Sequence, residues 1–219
     1  MAQRKATTPE AVLEAAARVF QRKGYDVATL DDIAAEAGIS KPTVYRYAKS
    51  KQWMLERIMK MVQAEMSERA KAMAHDGMTG LELLRAQVLV TVETGMEFKS
   101  YYQVAMVQAR ASSPRAEKEF RDWVREVTLR DQWILERAIE EGSLDLPGDP
   151  RIYGKLFAGM LASIHRWIDQ DGELTAAEVT EHVLQLLSAA PREVIATDGP
   201  QPTAPRPVAP RKAAPKKRA

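Results

Sequence analysis

The sequence predicts an all-α protein in which a small three-helix head precedes an antiparallel helical body. Apolar residues recur three and four positions apart along most of the chain up to about residue 190, which is the spacing of one helical face. Ser, Thr, Pro and Gly interrupt these stretches where helices would begin and end. No alternating apolar and polar stretch is long enough to predict a strand, and no internal repeat is visible.

The first helix is expected to begin at Thr8-Pro9 and to end at Gly24. A capping Thr followed by Pro favours a helix start, because the first turn does not need the missing proline N–H. Glycine favours a helix end, because it readily adopts the left-handed conformation that terminates a helix.

Two shorter helices are expected after this one, joined by a tight turn. Thr29 and Asp32 form a capping-box pattern for the second helix, and Gly38 ends it. The third helix is predicted over Lys41–Tyr47, with Ser40 as its cap. These three helices make the head.

The remaining helices make the body. The fourth helix is expected to run from Lys51 to Asp76-Gly77 and to link head and body. Apolar stripes then predict helices over about 81–98, 101–111, 114–142 and 152–167, and a last helix capped by Thr175. The predicted domains are 1–51 (the head), 52–190 (the body) and 191–219 (a tail).

The third helix carries the first functional signal, because it is too short and too polar to be a core helix. Its basic, hydroxyl and aromatic side chains suit phosphate oxygens and base edges. An ordinary helical hairpin is the alternative. The predicted DNA contacts are Thr29, Lys41, Thr43, Tyr45, Arg46, Tyr47 and Lys51, with Lys51 assigned to the phosphate backbone.

The stretch around these helices resembles the N-terminal signature of the TetR family of transcriptional regulators, over roughly residues 8–55. The resemblance implies a dimeric, DNA-binding protein. One departure is Ala48, where the family usually has an aromatic residue, and Trp53 is expected to fill that space. The matching residues are Gly24-Tyr25, Ala28-Thr29-Leu30, Ile33-Ala34, Ala37-Gly38-Ile39-Ser40, Thr43-Val44-Tyr45, Tyr47 and Ser50-Lys51.

Composition excludes several classes of chemistry. The chain has no cysteine, so disulfides, thiol catalysis and Cys-ligated zinc are excluded. No phosphate-binding glycine loop, nucleophile elbow or HExxH motif occurs, and the three histidines are scattered. We therefore expect no enzyme activity, no metal and no cofactor. No membrane span or signal peptide is visible, which predicts a cytoplasmic protein without a membrane partner.

The net charge of +2 is unevenly distributed. Residues 1–51 hold nine Lys/Arg against six Asp/Glu, residues 52–190 hold sixteen against twenty-two, and residues 191–219 hold seven against two. Seven of the twelve prolines also lie in residues 191–219, which predicts a disordered basic tail. This tail could follow DNA phosphates without reading sequence, or it could only aid solubility.

The body is expected to hold a small-molecule pocket, as it does in the family. Methionines can line adaptable apolar cavities, and an Arg among aromatic residues would suit a carboxylate or phosphate. The stretch GMLASIHRWIDQDGELTAAEV also resembles regulators that respond to fatty-acyl or sterol-derived CoA thioesters. Ordinary core or surface roles are the alternative for each residue. The pocket candidates are Met96, Tyr102, Met106, Arg110, Trp123, Arg166 and Trp167.

The last two helices are the predicted dimer surface. Small residues three to five apart let two helices approach closely, and two such helices per subunit would form a four-helix bundle. Packing within one chain is the alternative. The candidate interface residues are Gly154, Ala158, Gly159, Ala162, Ser163, Val183 and Leu186.

Together these observations predict a homodimeric transcriptional regulator. We expect a repressor that binds a palindromic double-stranded operator and is released by a small apolar or acyl-CoA-like effector. Two alternatives remain open. One is an architectural DNA-binding protein with little sequence preference, and the other is a pocket-bearing carrier or enzyme with a vestigial DNA-binding head.

Overall fold

A computed structural model of the protein describes residues 8–146, 148–168 and 172–188, and every regular element in these ranges is helical. The all-α prediction is confirmed. The predicted tail, residues 191–219, lies outside the described residues. The helices are α1 (Pro9–Lys23), α2 (Leu30–Ala37), α3 (Lys41–Tyr47), α4 (Lys51–Met73), α5 (Gly80–Glu97), α6 (Lys99–Gln108), α7 (Pro114–Glu140), α8 (Pro150–Ser163) and α9 (Ala176–Ser188), with 3-10 turns at Ala109–Ala111 and Ile164–Arg166.

Side-chain caps explain why most of these helices begin where they do. The side chains of Ser50, Thr79 and Ser113 each accept a hydrogen bond from an N–H in the first turn of the helix that follows. The N–H of Glu178 likewise donates to the Thr175 hydroxyl at 3.2 Å, as the sequence predicted for the last helix. Each cap pairs an N–H that has no partner inside its own helix.

Two helices end earlier than the sequence pattern suggested. The fourth helix stops at Met73, before Asp76-Gly77. The eighth stops at Ser163 and passes into a 3-10 turn, so Trp167 lies outside the regular helix that was predicted to contain it. None of the described helices is both long enough and apolar enough to cross a membrane.

The first hydrophobic core joins the head to α4 and α6. Helix α4 contacts α1 as well as α6, so the head is not separate from the helices that follow it. The predicted domain boundary after residue 51 runs through this core. Its buried members include Val12, Ala16, Val19 and Phe20 of α1, Ile33 of α2, Val44 of α3, Met54, Leu55 and Ile58 of α4, Val104 and Ala105 of α6, and Phe120 of α7.

The second core lies in the body, among α5, the second half of α7, α8 and α9. Its members follow the helical spacing expected from the sequence. Because α5 also contacts α4 and α6, the two cores meet along these helices. The buried residues include Leu84, Val88 and Val92 of α5, Ile134 and Leu135 of α7, Phe157 and Leu161 of α8, and Val179, Val183 and Leu184 of α9.

Gly80 allows the start of α5 to lie directly on the end of α7. A Cβ added at Gly80 would lie 2.4 Å from the backbone nitrogen of Ala138, closer than atoms can approach. The Gly80 N–H donates to Glu141 Oε2 at 2.5 Å, and the Arg137 guanidinium donates to the Met78 carbonyl at 2.7 Å. This crossing therefore depends on the absence of a side chain at residue 80.

Gly80→Ala is expected to lower the free energy of unfolding by about 1–3 kcal/mol, because backbone atoms cannot move aside as a flexible side chain could. Gly95→Ala in the same helix is the matched control. Its Cβ would lie 3.9 Å from Ile164 Cγ2, an ordinary contact, so it should gain about 0.5–1 kcal/mol of helix propensity. Urea unfolding followed by circular dichroism compares the two. Wild-type stability of Gly80→Ala would contradict the close crossing.

Candidate DNA-binding surface and internal chamber

Helices α2 and α3 form a helix-turn-helix, and local contacts fix the two ends of α2. The Asp32 N–H donates to Thr29 Oγ1 and the Thr29 N–H donates to Asp32 Oδ2, both at 3.1 Å, so the predicted capping box is present. Lys23 Nζ lies 2.7 Å from Asp32 Oδ1, which is the main reason that the pKa of this carboxyl falls to about 2. Gly38 then ends α2 in the left-handed region, at φ 65°. The Lys23–Asp32 ion pair therefore joins the start of α2 to the end of α1.

One fully buried residue, Val44, anchors α3 in the first core. Tyr45 is 55% exposed, and Arg46 and Lys41 are exposed as well. Tyr47 is half-buried and packs against the first core. The outward surface of α3 therefore presents a phenol, a guanidinium and an ammonium group.

Two contacts organise the first turn of α3. Lys41 Nζ lies 2.9 Å from Asp31 Oδ2, and this hydrogen bond raises the pKa of Lys41. Ser40 stands at the N-cap, but its hydroxyl pairs with Thr43 Oγ1 at 2.8 Å and makes no side-chain cap bond. The predicted Ser40 cap is thus replaced by a bond between two hydroxyls, and Thr43 is half-buried.

Lys51 holds the loop between α1 and α2 against the start of α4. Its ammonium group donates to the carbonyl oxygens of Tyr25, Asp26 and Ala28 at 2.7, 3.2 and 3.0 Å. It also lies 4.5 Å from the centre of the Tyr25 ring. An ammonium group has three N–H donors, and three carbonyls use all of them. The structure thus gives Lys51 a different role from the predicted phosphate contact, because that contact would require breaking this set of bonds.

Ala48, where the resemblance led us to expect an aromatic side chain, is buried in the first core. Its N–H donates to the Val44 carbonyl at 2.9 Å, and its extended backbone ends α3. Trp53 is partly buried against the same core. Both residues therefore contribute to the packing behind the recognition helix.

Between its helices the body contains a small chamber of about 50 Å³ that is partly open to solvent, with a wall formed by α4, α5, α6, α7 and α8. Three of the predicted pocket residues line it: Tyr102, Met106 and Trp123. The sequence analysis missed the other wall residues that matter here, which are Met66, Gln87, Thr91, Val127, Thr128, Asp131 and Leu161.

The four other predicted pocket residues do not line this chamber. Met96 is half-buried and packs against the second core. Arg110 is exposed in the 3-10 turn after α6, and Arg166 and Trp167 are exposed after the end of α8. The predicted cluster of Arg and aromatic side chains does not form, because α8 ends before its last turn could carry them inward.

Asp131 is the most informative residue that the sequence analysis missed. It is 2% exposed, and its Oδ1 has no hydrogen-bond partner in the described part of the chain. It occupies a position on the apolar stripe of α7, between Val127 and Ile134 and in register with Phe120. A carboxylate at an apolar position of a helical stripe is the sequence signal from which this residue could have been found.

Burial dominates the electrostatics around the chamber. It raises the pKa of the Asp131 carboxyl to about 7, against a smaller opposing effect of Arg130. It also raises the pKa of Tyr102, with the negative charge of Asp131 as the second cause. Burial lowers the pKa of His165, whose ring centre lies 5.2 Å from that of Tyr102. The region therefore disfavours isolated charge.

Two grooves lie next to the chamber along α7. One, of about 210 Å³, runs between α4, α5 and α7, and the other, of about 170 Å³, runs between α4 and α7. Arg130 lines both grooves, and its Nη2 donates to Gln87 Oε1 at 2.9 Å. Gln87 lines the chamber as well as the larger groove, so it marks where the two spaces meet.

The structure separates the predicted interface residues into two groups. Gly154 packs within the subunit, since a Cβ there would lie 3.0 Å from Gln132 Cβ, and Val183 is buried in the second core. For these two, the intrachain alternative describes the structure. Gly159, by contrast, has no atom within 4 Å of an added Cβ, and Leu186 is exposed.

The remaining three lie around the chamber end of α8. Ala158 and Ala162 line the chamber, although Ala162 is also exposed to solvent. Ser163 is half-buried, and its hydroxyl donates to the Met160 carbonyl at 2.8 Å. The stripe of small residues thus serves the chamber wall as well as the outer surface of α8. Among the described residues, no group of three His, Cys, Asp or Glu side chains could hold a metal ion.

The recognition helix α3 follows a left-handed glycine turn and is anchored in a helical body. This arrangement is that of a helix-turn-helix transcriptional regulator. Comparison with known families agrees. Residues 12–58 match the family model described as bacterial regulatory proteins, tetR family, and residues 77–190, more than half of the chain, match the tetracyclin repressor-like C-terminal domain. The chain belongs to the TetR family, whose members are usually repressors and bind DNA as dimers.

Individual relatives are similar over most of their length. An uncharacterized HTH-type transcriptional regulator of Mycobacterium tuberculosis is 27% identical over 173 residues, covering 78% of this chain and 72% of the relative. The HTH-type transcriptional repressor KstR2 of Rhodococcus jostii is 24% identical, covering 80% and 87%.

Solved structures share the fold. The ketosteroid transcriptional regulator KstR2 of Mycobacterium tuberculosis superposes with a TM-score of 0.75 at 22% identity, covering 84% of this chain and 94% of that one. AibR in complex with isovaleryl coenzyme A and operator DNA superposes with a TM-score of 0.70 at 22% identity, covering 82% and 97%.

Replacing Lys51 distinguishes its contact with the loop carbonyls from the predicted contact with DNA phosphate. Lys51→Met is expected to lower the free energy of unfolding by about 1–3 kcal/mol, because part-buried carbonyls lose a charged donor. Its operator affinity should keep the wild-type dependence on salt concentration. Lys49→Met, two residues earlier and exposed, is the control and should unfold as the wild type does. If Lys51→Met instead unfolds normally and its salt slope falls by about one unit per subunit, Lys51 contacts phosphate.

Proposed function

We propose that this protein is a dimeric, ligand-responsive repressor that binds a palindromic operator and releases it when a small apolar or acyl-CoA-like effector enters the body. The observation that carries the proposal is the position of α6. Tyr102 and Met106 of this helix line the chamber, while Ser100 and Gln103 of the same helix contact α1 in the head.

The contacts between α6 and the head are direct hydrogen bonds. Gln21 of α1 donates to Gln103 Oε1 at 2.8 Å and accepts from the Ser100 hydroxyl at 2.6 Å. A second link involves α4, whose Glu56 Oε1 accepts from the N–H of Ser113 at 3.2 Å, just before α7. Movement of α6 or α7 would therefore reach both α1 and α4.

The small size of the chamber supports a change of shape on ligand binding. A volume of about 50 Å³ is far below the roughly 300–1,000 Å³ of ordinary ligand pockets. An effector would have to favour a wider arrangement of α6 and α7. A difference of a few kcal/mol in effector affinity between the two arrangements is enough to shift their populations.

The head is suited to the major groove through the outward face of α3. Tyr45 and Arg46 are placed to reach bases or thymine methyl groups, and Lys41 and Thr43 to reach base edges or nearby phosphates. Thr29 is exposed at the start of α2 and Tyr47 is half-buried, so we assign both to the backbone side of the contact. On DNA binding, Lys41 would exchange its ion pair with the Asp31 carboxylate for one with a DNA phosphate.

The dimer is supported by an apolar face on α8. Ile152, Leu156 and Gly159 are spaced four and three residues apart, and the two large side chains are 57% and 64% exposed. Leu186 of α9 and Trp167 are more than half exposed as well. Exposed apolar side chains on one helix face favour association, and a two-fold partner would cover the same surface on both subunits.

The relatives support the same reading. KstR2 is a repressor, and the AibR structure contains both isovaleryl coenzyme A and operator DNA. The direct test is selection of bound sequences from random double-stranded DNA, followed by a screen for compounds that abolish binding. A palindromic preferred sequence supports the proposal, whereas steeply salt-dependent binding without a preferred sequence would support an architectural DNA-binding protein.

Arg46→Ala is expected to weaken binding to the selected operator by about 1–3 kcal/mol and to relax specificity at one position per half-site, because a guanidinium pairs with guanine through two hydrogen bonds. Arg115→Ala removes the same charge from an exposed position on α7 and should leave affinity and specificity unchanged. Fluorescence anisotropy with operator variants measures both. Unchanged specificity of a folded Arg46→Ala protein would remove Arg46 from base reading.

Leu156→Glu is expected to convert the dimer to monomers, because it places two like charges in the apolar contact between α8 helices. Operator affinity should then fall, although the head is intact, because the two heads no longer bind as one unit. Val107→Glu, at a similarly exposed apolar position on α6, should remain dimeric. Analytical ultracentrifugation decides the outcome, and a dimeric Leu156→Glu protein would place the interface elsewhere.

A further inference from the structure

The polar groups of the chamber are mainly hydrogen-bond acceptors. Asp131 Oδ1 is buried without a partner among the described residues. The hydroxyls of Thr91 and Thr128 donate to the carbonyls of Gln87 and Val124, each at 2.9 Å. A hydroxyl has one proton to donate, so only the lone pairs of these two oxygens remain for a ligand.

Arg130, next to Asp131 in the chain, lines the two outer grooves and not the chamber. Its Nη2 donates to Gln87 Oε1 at 2.9 Å, and its Nε is buried without a partner among the described residues. No Lys, Arg or His side chain of the described residues is part of the chamber wall. The donors left in the wall are the Gln87 amide and the Tyr102 hydroxyl, so acceptors predominate around Asp131.

We propose that Asp131 selects the ligand of this chamber, and that the ligand carries a hydrogen-bond donor, an N–H or O–H group, on a compact apolar frame. That this ligand regulates operator binding rests on the proposed function. Its binding to the chamber is measured in the absence of DNA. Of the effectors proposed above, this donor requirement favours a small donor-bearing molecule over an acyl-CoA, whose acyl end carries no N–H or O–H for Asp131. A longer ligand would place its donor-bearing end beside Asp131 and extend past Gln87 into the larger groove.

The apolar part of the wall defines the rest of the ligand. Met66, Met106, Trp123 and Leu161 surround the polar side with thioether, indole and aliphatic groups. Thioethers adapt to ligands of different shape, and the faces of aromatic rings attract cations. A small branched aliphatic amine or alcohol therefore matches the chemistry of both sides of the chamber, once α6 and α7 move apart as proposed above.

Discrimination follows from the cost of an unpaired buried carboxylate. A ligand that donates to Asp131 replaces the lost hydration of this group with a hydrogen bond. Where Asp131 is ionised, above its raised pKa of about 7, a ligand that offers only acceptors leaves it unpaired and places lone pairs against lone pairs. Sites built to pair with a polar group reject analogues that lack it more strongly than sites that recognise shape alone.

The test uses the full-length protein and three probes of similar size: isopentylamine, isopentanol and methyl isobutyl ketone. Ligand-observed NMR at a pH above about 8, where Asp131 is ionised, measures their dissociation constants. We expect the amine and the alcohol to bind at least about tenfold more tightly than the ketone, since tenfold corresponds to about 1.4 kcal/mol. The order of amine and alcohol distinguishes a charged donor from a neutral one.

Asp131→Asn tests the residue itself. It keeps the shape of the side chain and adds an N–H donor, so the amine should lose at least about tenfold in affinity while the ketone gains. Asp122→Asn, on the exposed side of α7, is the matched control and should bind all three probes as the wild type does. Circular dichroism confirms folding, and the comparison of probes on the wild type stands without either variant.

A ketone that binds as tightly as the amine and alcohol would overturn the inference, as would an Asp131→Asn protein with an unchanged order of affinities. If none of the probes binds while the operator is still recognised, the inference fails and the proposed repressor remains. If amine or alcohol binds as expected but no operator is recognised, the ligand site stands and the proposed function fails.

Discussion

The three-helix head cannot bury its apolar faces by itself, and this constraint shapes the rest of the molecule. Phe20, Val19 and Val12 of α1 are fully buried in a core to which α4 and α6 also contribute, and both of these helices contact α1. A small unit with few core residues gains stability by sharing a core with its neighbours. The DNA-binding surface is therefore attached to α6 by packing as well as by hydrogen bonds, and a change in the body has a rigid route to the head.

Two polar groups are used in opposite ways in this framework. Lys51 is a charge whose donors are all satisfied by backbone carbonyls, and it fixes the loop before α2. Asp131 is a carboxyl in an apolar stripe whose Oδ1 is left without a partner in the described chain. The first arrangement stabilises one conformation, whereas the second favours any state in which a suitable partner arrives. A buried or half-buried charged side chain thus fixes the conformation of the head and leaves an unpaired acceptor in the body.

The head could be predicted from sequence nearly to the residue because its determinants are local. Thr29, Gly38 and Ser50 act within one turn of their own helix ends, and the family signature lies in the same stretch. The chamber and the candidate interface could not be predicted from sequence, because they depend on how helices distant in the chain face one another. Asp131 reaches the chamber through the register of a long helix, and Gly154 and Val183 are distinguished from Gly159 only by neighbours far away in sequence. Trp167 was misplaced because the end of α8 has no sequence signal as clear as a glycine or proline.

Val44 is the one fully buried side chain of the recognition helix. Thr43 and Tyr47 are half-buried, and Lys41, Tyr45 and Arg46 are exposed. Substitutions at Lys41, Tyr45 or Arg46 would therefore change the chemistry offered to DNA while removing little of the core. In an evolving lineage, such a helix lets the preferred operator drift quickly, while selection on folding holds the remainder of the head nearly constant. Descendants of one ancestral regulator could in this way come to bind different operators while keeping the same helical body.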